Sequence, residues 1–203
     1  MNRPVIAVDL DDVLADEKEA LRLFVNEAYS ANLSRQDFDI EAPYWEYWET
    51  AQGISQAEGK VRYQAFLDSG GKAKIKVIKG VTKAIEKLKQ DYSLIIVTAR
   101  KNDLFELTHK WLELHFPKTF SGVEFVELWT GDRKANKASI CKEIDATYLI
   151  DDNADHCTQA AEVGITALLF GDYGWNRSFK LSKGMVRVKN WLEIEKFFDG
   201  KNK

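Results

Sequence analysis

The 203 residues are 45% hydrophobic and 30% charged, the balance of a soluble globular chain with one substantial core. With 29 basic against 32 acidic residues the formal net charge is −3, so no overall positive field holds a nucleic-acid polymer or an anionic membrane. Cys141 and Cys157 are too few for a disulfide framework, no apolar run nears the ~20 residues of a membrane span, and MNRPVIAVDL lacks a signal-peptide core; a cytoplasmic setting is expected.

Short apolar runs separated by helix-length segments predict a parallel sheet with crossover helices. The strand candidates are Pro4 to Leu10, Ser93 to Ala99, Gly122 to Leu128, Ala146 to Asp151 and Ile165 to Phe170. Between them, Val81 to Leu88, Leu104 to Phe116, Ala135 to Ile144 and Ala154 to Val163 carry apolar residues at three- and four-residue spacing. Asp103 is a candidate cap for the second of these helices, Pro117 its stop, and Gly164 a C′ glycine after the last. MVRVKNW and LEIEKFF then read as an edge strand and a closing helix.

One stretch breaks the rhythm. Residues 16–77 hold helix-like segments, Lys18 to Ala31 and Ser55 to Leu67, but no convincing strand. About 60 residues exceed an ordinary loop, so a small helical subdomain is expected there. It follows the C-terminal end of strand one, where open α/β sheets bind ligands, and so is placed as a lid. Lys72 to Lys89 holds seven lysines and one acid, spaced as a solvated face.

The strand ends carry the chemistry. Strand one ends in V-D-L-D-D, and aspartates at a buried strand end are costly unless a cation or donor satisfies them. Asp9 is a candidate nucleophile toward phosphorus, and Asp11, on the adjoining turn, a candidate acid and base. The bland alternative is an acidic loop that caps a helix starting near Asp16. Strand two ends in T-A-R, where the Thr98 hydroxyl and the backbone amides of Ala99 and Arg100 could hold phosphoryl oxygens. Strand four ends in I-D-D-N, so Asp151 and Asp152 converge on the same sheet edge as Asp9 and Asp11. A hard oxygen-liganded cation such as Mg²⁺ fits two such ends, and Asp155 lies beside them. Lys134 and Lys137, before the helix leading into strand four, can hold a phosphate.

This set resembles the haloacid dehalogenase superfamily of phosphohydrolases, in four motifs spread over about 140 residues outside the insertion. The resemblance implies a Rossmann-like doubly wound α/β core of residues 1–15 and 78–203, with 16–77 as a helical cap. It implies Asp9 as nucleophile and metal ligand, and Asp11 as acid and base that also binds metal through its carbonyl. Thr98 and Lys137 would hold the phosphoryl group, with Asp152 as the principal fourth-motif metal ligand and Asp151 supporting it. Within the superfamily, D-D-V-L-A-D followed by a helical insertion is similar to the 5′(3′)-deoxyribonucleotidases. Asp12 replaces their usual glycine, and T-A-R replaces T-S-P.

In F-D-I-E-A-P-Y-W-E-Y-W five of eleven residues are aromatic, against 12% for the chain. They could form the subdomain's own core, or Trp45 and Trp48 could wall a flat base. Tyr173 and Trp175, after strand five, border the same edge; His109 and His115 read as structural or exposed, and His156 lies near the site without a second ligand partner. The expected activity is Mg²⁺-dependent hydrolysis of a 5′-nucleoside monophosphate through an aspartyl-phosphate. A phosphatase for another small ester such as a sugar phosphate, and a non-catalytic nucleotide-binding member, stay open, as does a homodimer.

Overall fold

The computed structural model of the chain describes residues 3–126 and 136–201. Strands β1 (Val5–Val8), β2 (Ser93–Thr98), β3 (Gly122–Phe125), β4 (Ala146–Asp151), β5 (Thr166–Phe170) and β6 (Met185–Val188) form one sheet in the order β3-β2-β1-β4-β5-β6. Every adjacent pair is parallel. This is the doubly wound order, and the chain reverses direction across the sheet between β1 and β4. The carboxyl ends of those two neighbours therefore face the crevice of the fold.

Period-2 alternation divides the core between the two faces. Ile6, Val8, Ile96, Ile150 and Leu168 point to one face, while Ala7, Val97, Leu149, Ala167 and Leu169 point to the other. Helices α4 (Val81–Asp91), α5 (Phe105–His115) and α8 (Trp191–Asp199) cover the first face through Ile85, Trp111 and Ile194. Helices α6 (Lys137–Glu143) and α7 (Ala154–Glu162) cover the second through Cys141 and Cys157. Each buried aliphatic or aromatic side chain contributes roughly 1.5–3 kcal/mol.

The expected elements are present within a few residues, with one correction and two limits of description. Asp103 lies in a 3₁₀ turn, Asn102–Leu104, and makes no cap bond to α5, whose N-cap position falls to Leu104. Asn136 does the expected kind of capping elsewhere: its Oδ1 accepts from the Ser139 amide at 2.8 Å, and the Ser139 hydroxyl accepts in return from the Asn136 amide. The end of the third strand candidate (Leu128) and Lys134 lie outside the described residues.

Between β1 and α4 the chain forms α1 (Glu17–Ala28), a 3₁₀ turn (Tyr44–Glu46), α2 (Tyr47–Gln52), α3 (Gln56–Asp68) and a second 3₁₀ turn (Gly71–Lys74). Its outgoing and returning ends lie side by side. The Asp16 amide donates to the Lys76 carbonyl at 2.9 Å, and the Ile78 amide to the Leu14 carbonyl at 2.8 Å. Leu21, Val25, Phe38, Tyr47 and Phe66 from this segment join the core cluster of the first sheet face.

Candidate active site

The ladder between β1 and β4 continues one step, from the Asp9 amide to the Ile150 carbonyl at 2.9 Å, and delivers Asp9 beside Asp151 and Asp152. One carboxylate oxygen from each of the three lies within 4.8 Å of the others. The capping box places Lys137 at the first turn of α6, pointing into this group. Its Nζ sits 2.6 Å from Asp9 Oδ1 and 2.7 Å from Asp151 Oδ2, and the side chain is 1% exposed. Burial opposes its charge, yet Asp151 and Asp9 together hold it firmly protonated. Asp151 is fixed further by the Asn153 amide at 2.9 Å and by His156 Nδ1 at 3.3 Å.

One lysine does not balance three buried carboxylates. Burial, then Asp151, push Asp9 up to about 6 against the relief Lys137 gives. Burial, then Asp151 and Asp9, raise Asp152 well above the carboxylate range. A hard divalent cation answers this excess, and the donors available to it, carboxylate oxygens alone, are of the right kind. Asp9, Asp151 and Asp152 thus fit such an ion; Asp155 is exposed and lies outside the group.

Asp11 is held elsewhere. Arg100 Nε and Nη2 reach its two oxygens at 2.9 and 2.6 Å, and Lys72 Nζ reaches Oδ2 at 2.9 Å. Lys72 also pairs with Glu17 at 2.6 Å, and the Tyr63 hydroxyl donates to the same Glu17 oxygen. Burial alone would raise Asp11, but Arg100 and then Lys72 hold it well below the usual range. Its side chain is therefore ionised and turned toward the helical segment. Lys72, expected on a solvated face, is 2% exposed, because Asp11 and Glu17 both require a buried cation. The other lysines of that run are exposed or half-buried.

Asp12 adopts φ 58°, the left-handed turn that a glycine would otherwise supply. Its Oδ1 accepts from the Lys18 amide at 2.8 Å and so receives the start of α1. Thr98 is buried at the end of β2, its hydroxyl accepting from the Arg100 amide at 3.2 Å. It lies on the strand next to β1, on the same edge as Asp9.

The aromatic stretch packs mainly on itself. Trp48 stacks on Phe38 at 5.8 Å and meets Tyr47 and Trp175 edge-on, whereas Trp45 is 53% exposed and packs against Tyr44. Tyr44 meets Trp175, the donor to Asp152, edge-on at 6.1 Å, and burial, then Asp152, Asp9 and Asp151, push its phenol well above the usual value. Tyr173 and Trp175 do border the acidic edge, stacked at 4.5 Å and 14°. Sequence reasoning passed over Tyr44, Lys72 and Glu17. Tyr44 stood in the same aromatic run as the two tryptophans, but Lys72 carried no local signal.

A family profile described as 5′ nucleotidase, deoxy (Pyrimidine), cytosolic type C protein matches residues 3–202. A nucleotidase of Clostridium acetobutylicum is 25% identical over 199 residues, spanning 93% of this chain and 90% of that protein. Among solved structures, a haloacid dehalogenase-like hydrolase from Streptococcus pneumoniae superposes with a TM-score of 0.64 at 15% identity, over 97% of this chain and 98% of that one. A Bacillus subtilis protein assigned to the same hydrolases, and bound to magnesium, gives 0.64 at 13% identity over 98% and 100%. Among the described residues no helix is long and apolar enough to cross a membrane.

Proposed function

We propose a reaction for a chain that belongs to the cytosolic type C 5′-nucleotidase family, and is thereby a nucleotidase-like phosphoric monoester hydrolase acting on a small phosphate ester. The reaction is magnesium-dependent removal of phosphate from a 5′-nucleoside monophosphate through an aspartyl-phosphate. Three carboxylates and one buried lysine at the switch point of the sheet carry this reading.

In the proposed sequence Asp9 attacks phosphorus with a carboxylate oxygen as the bond to the nucleoside oxygen breaks. Lys137, already in contact with Asp9, offsets charge on the transferring group, as do Thr98 and the amides of Ala99 and Arg100. Asp11, ionised while Arg100 and Lys72 hold it, takes up a proton from solvent on leaving them, gives that proton to the leaving oxygen and then takes one from the water that attacks the acyl phosphate. For that its side chain must exchange Arg100 and Lys72 for the substrate. Asp9, Asp152 and Asp151, with the Asp11 carbonyl, would hold a divalent cation, which would neutralise a pocket that otherwise repels phosphate. Residues 16–77 act as the cap over this site, anchored by Asp39, which pairs with Lys18 at 2.8 Å and with Arg177 at 2.9 Å.

The family description supports the nucleotide as substrate, and the aromatic wall supports a flat leaving group. Tyr44, packed on Trp45 and on Trp175, is the cap aromatic on the leaving-group side in this reading, while Trp48 packs on Phe38, Tyr47 and Trp175. Phosphate release is measured for nucleoside monophosphates and sugar phosphates, with and without Mg²⁺. The expected result is Mg²⁺-dependent nucleotide turnover, abolished by Asp9→Asn with the fold intact. Good sugar-phosphate turnover without nucleotide turnover would reverse the substrate assignment, and an active Asp9→Asn protein would sink the mechanism.

A further inference from the structure

The turn that follows β5, Gly171 to Arg177, grips both acidic strand ends. The Trp175 indole Nε1 donates to Asp152 Oδ2 at 2.8 Å, and Asn176 Nδ2 donates to the Asp152 carbonyl at 2.9 Å. The Tyr173 hydroxyl donates to the Asp12 carbonyl at 2.7 Å. Asn176, buried, also bonds the Phe170 carbonyl at 2.9 Å, so the turn is locked to the end of its own strand. Three side chains of one six-residue sequence, D-Y-G-W-N-R, thus fix two acidic ends from different strands.

The same indole is the contact point of the helical segment. Tyr47 meets its ring edge-on at 4.5 Å, Trp48 at 5.6 Å and Tyr44 at 6.1 Å. Gly174 permits this approach: a Cβ there would come within 1.6 Å of the Ile40 carbonyl oxygen. Any movement of residues 40–48 away from the core strips Trp175 of three of its ring neighbours, while its N–H is the donor that orients Asp152.

We infer that Trp175 is a positioning residue: its indole N–H fixes Asp152 for cation binding, and its ring makes that geometry depend on the docked position of the 40–48 segment. The inference rests on the proposed metal-dependent reading of the site. A donor to a metal-binding carboxylate fixes its orientation, and losing such a partner typically costs 10- to 100-fold in metal affinity or activity. Phenylalanine at position 175 keeps an aromatic ring among Tyr44, Tyr47 and Trp48 but has no donor.

The test is calorimetric Mg²⁺ titration of the wild-type protein and of Trp175→Phe, each checked by thermal unfolding. Trp175→Phe is expected to bind Mg²⁺ at least about 10-fold more weakly, with the KM for substrate changed less than kcat at saturating Mg²⁺. In the ¹⁵N-labelled wild-type protein, the Trp175 indole resonance, assigned by its contacts to the Tyr173 ring, is expected to shift on Mg²⁺ addition. This readout needs no variant. Wild type that binds Mg²⁺, with an unmoved Trp175 resonance or with equal affinity in Trp175→Phe, overturns the inference and leaves the metal reading standing. Wild type that binds no Mg²⁺ and hydrolyses phosphate esters without it overturns the metal reading as well.

Discussion

Arg100 grips Asp11 with two nitrogens, Nε at 2.9 Å from one oxygen and Nη2 at 2.6 Å from the other. The guanidinium is also tied to Thr108 at 3.2 Å, so it is positioned from α5 as well as from the β2 end. Together with Lys72 and Glu17 it makes a buried group of two cations and two anions. This network, and not the cluster of Asp9, Asp151 and Asp152, sets the orientation of Asp11. In the proposed reaction, turnover includes the step in which Asp11 leaves it.

Replacing Arg100 removes half of the positive charge from that group. Breaking a buried ion pair by deleting one partner costs about 3–5 kcal/mol; because Lys72 stays, Arg100→Gln should fall near the low end in urea unfolding at pH 7. Arg100→Lys should lose less but still lose, since an ammonium cannot make the forked contact. The pH dependence has a definite sign. Asp11 is held below its ordinary value of 3.8, so it stabilises the fold above that pH and the contribution disappears as pH falls below it. Arg100→Gln should flatten that acid limb, and an unchanged limb would contradict the assignment.

The strand ends were legible because their surroundings are. β1 and the last half of β4 are apolar and buried on both faces, so an aspartate at their exit is conspicuous, and parallel order brings both exits to one edge. Lys137 was legible from its place before a helix leading to an acidic strand. The Asp11 network was not, because its partners are 61 and 89 residues away in sequence and no local pattern links them. Lys72 kept the spacing of its exposed neighbours and is buried only because Asp11 and Glu17 meet there. In the aromatic stretch, the 3₁₀ turn at Tyr44–Glu46 followed by α2 decides which ring turns inward, and composition carries no trace of that rotation.

Asp152→Asn separates the needs of the fold from those of the cation. Burial and the neighbouring carboxylates raise Asp152 well above 3.8 and Asp9 to about 6. A folded carboxyl with a raised value holds its proton longer than the unfolded one, so metal-free stability falls as pH rises from about 4 toward 6. Asp152→Asn should weaken that fall and raise the melting temperature in EDTA by roughly 2–4 °C for each kcal/mol relieved. It should also abolish the stabilisation that Mg²⁺ gives the wild-type protein. Thermal scans across pH 4–7, in EDTA and in Mg²⁺, check both halves; an Asn variant less stable in EDTA and still stabilised by Mg²⁺ would contradict this.

Lys137 stands between the two acidic strand ends, and its removal should be the most costly single change at the site. Lys137→Gln leaves Asp9 and Asp151 without the ammonium that touches both at 2.6 and 2.7 Å. Loss of one partner from a buried charge group predicts about 3–5 kcal/mol of destabilisation without metal. Mg²⁺ should restore part of it, since a cation that binds only the folded state stabilises by about 2.7 kcal/mol at 100 times its Kd. Turnover should stay depressed by about 100-fold or more even in saturating Mg²⁺, because the phosphoryl group still lacks its fixed positive partner. Lys137→Arg should not rescue it: a planar fork cannot occupy the single point that lies within 2.7 Å of both carboxylates. Urea unfolding with and without Mg²⁺, alongside phosphate release, measures the two effects separately, and a Gln variant that is stable in EDTA and fully active would remove Lys137 from the site.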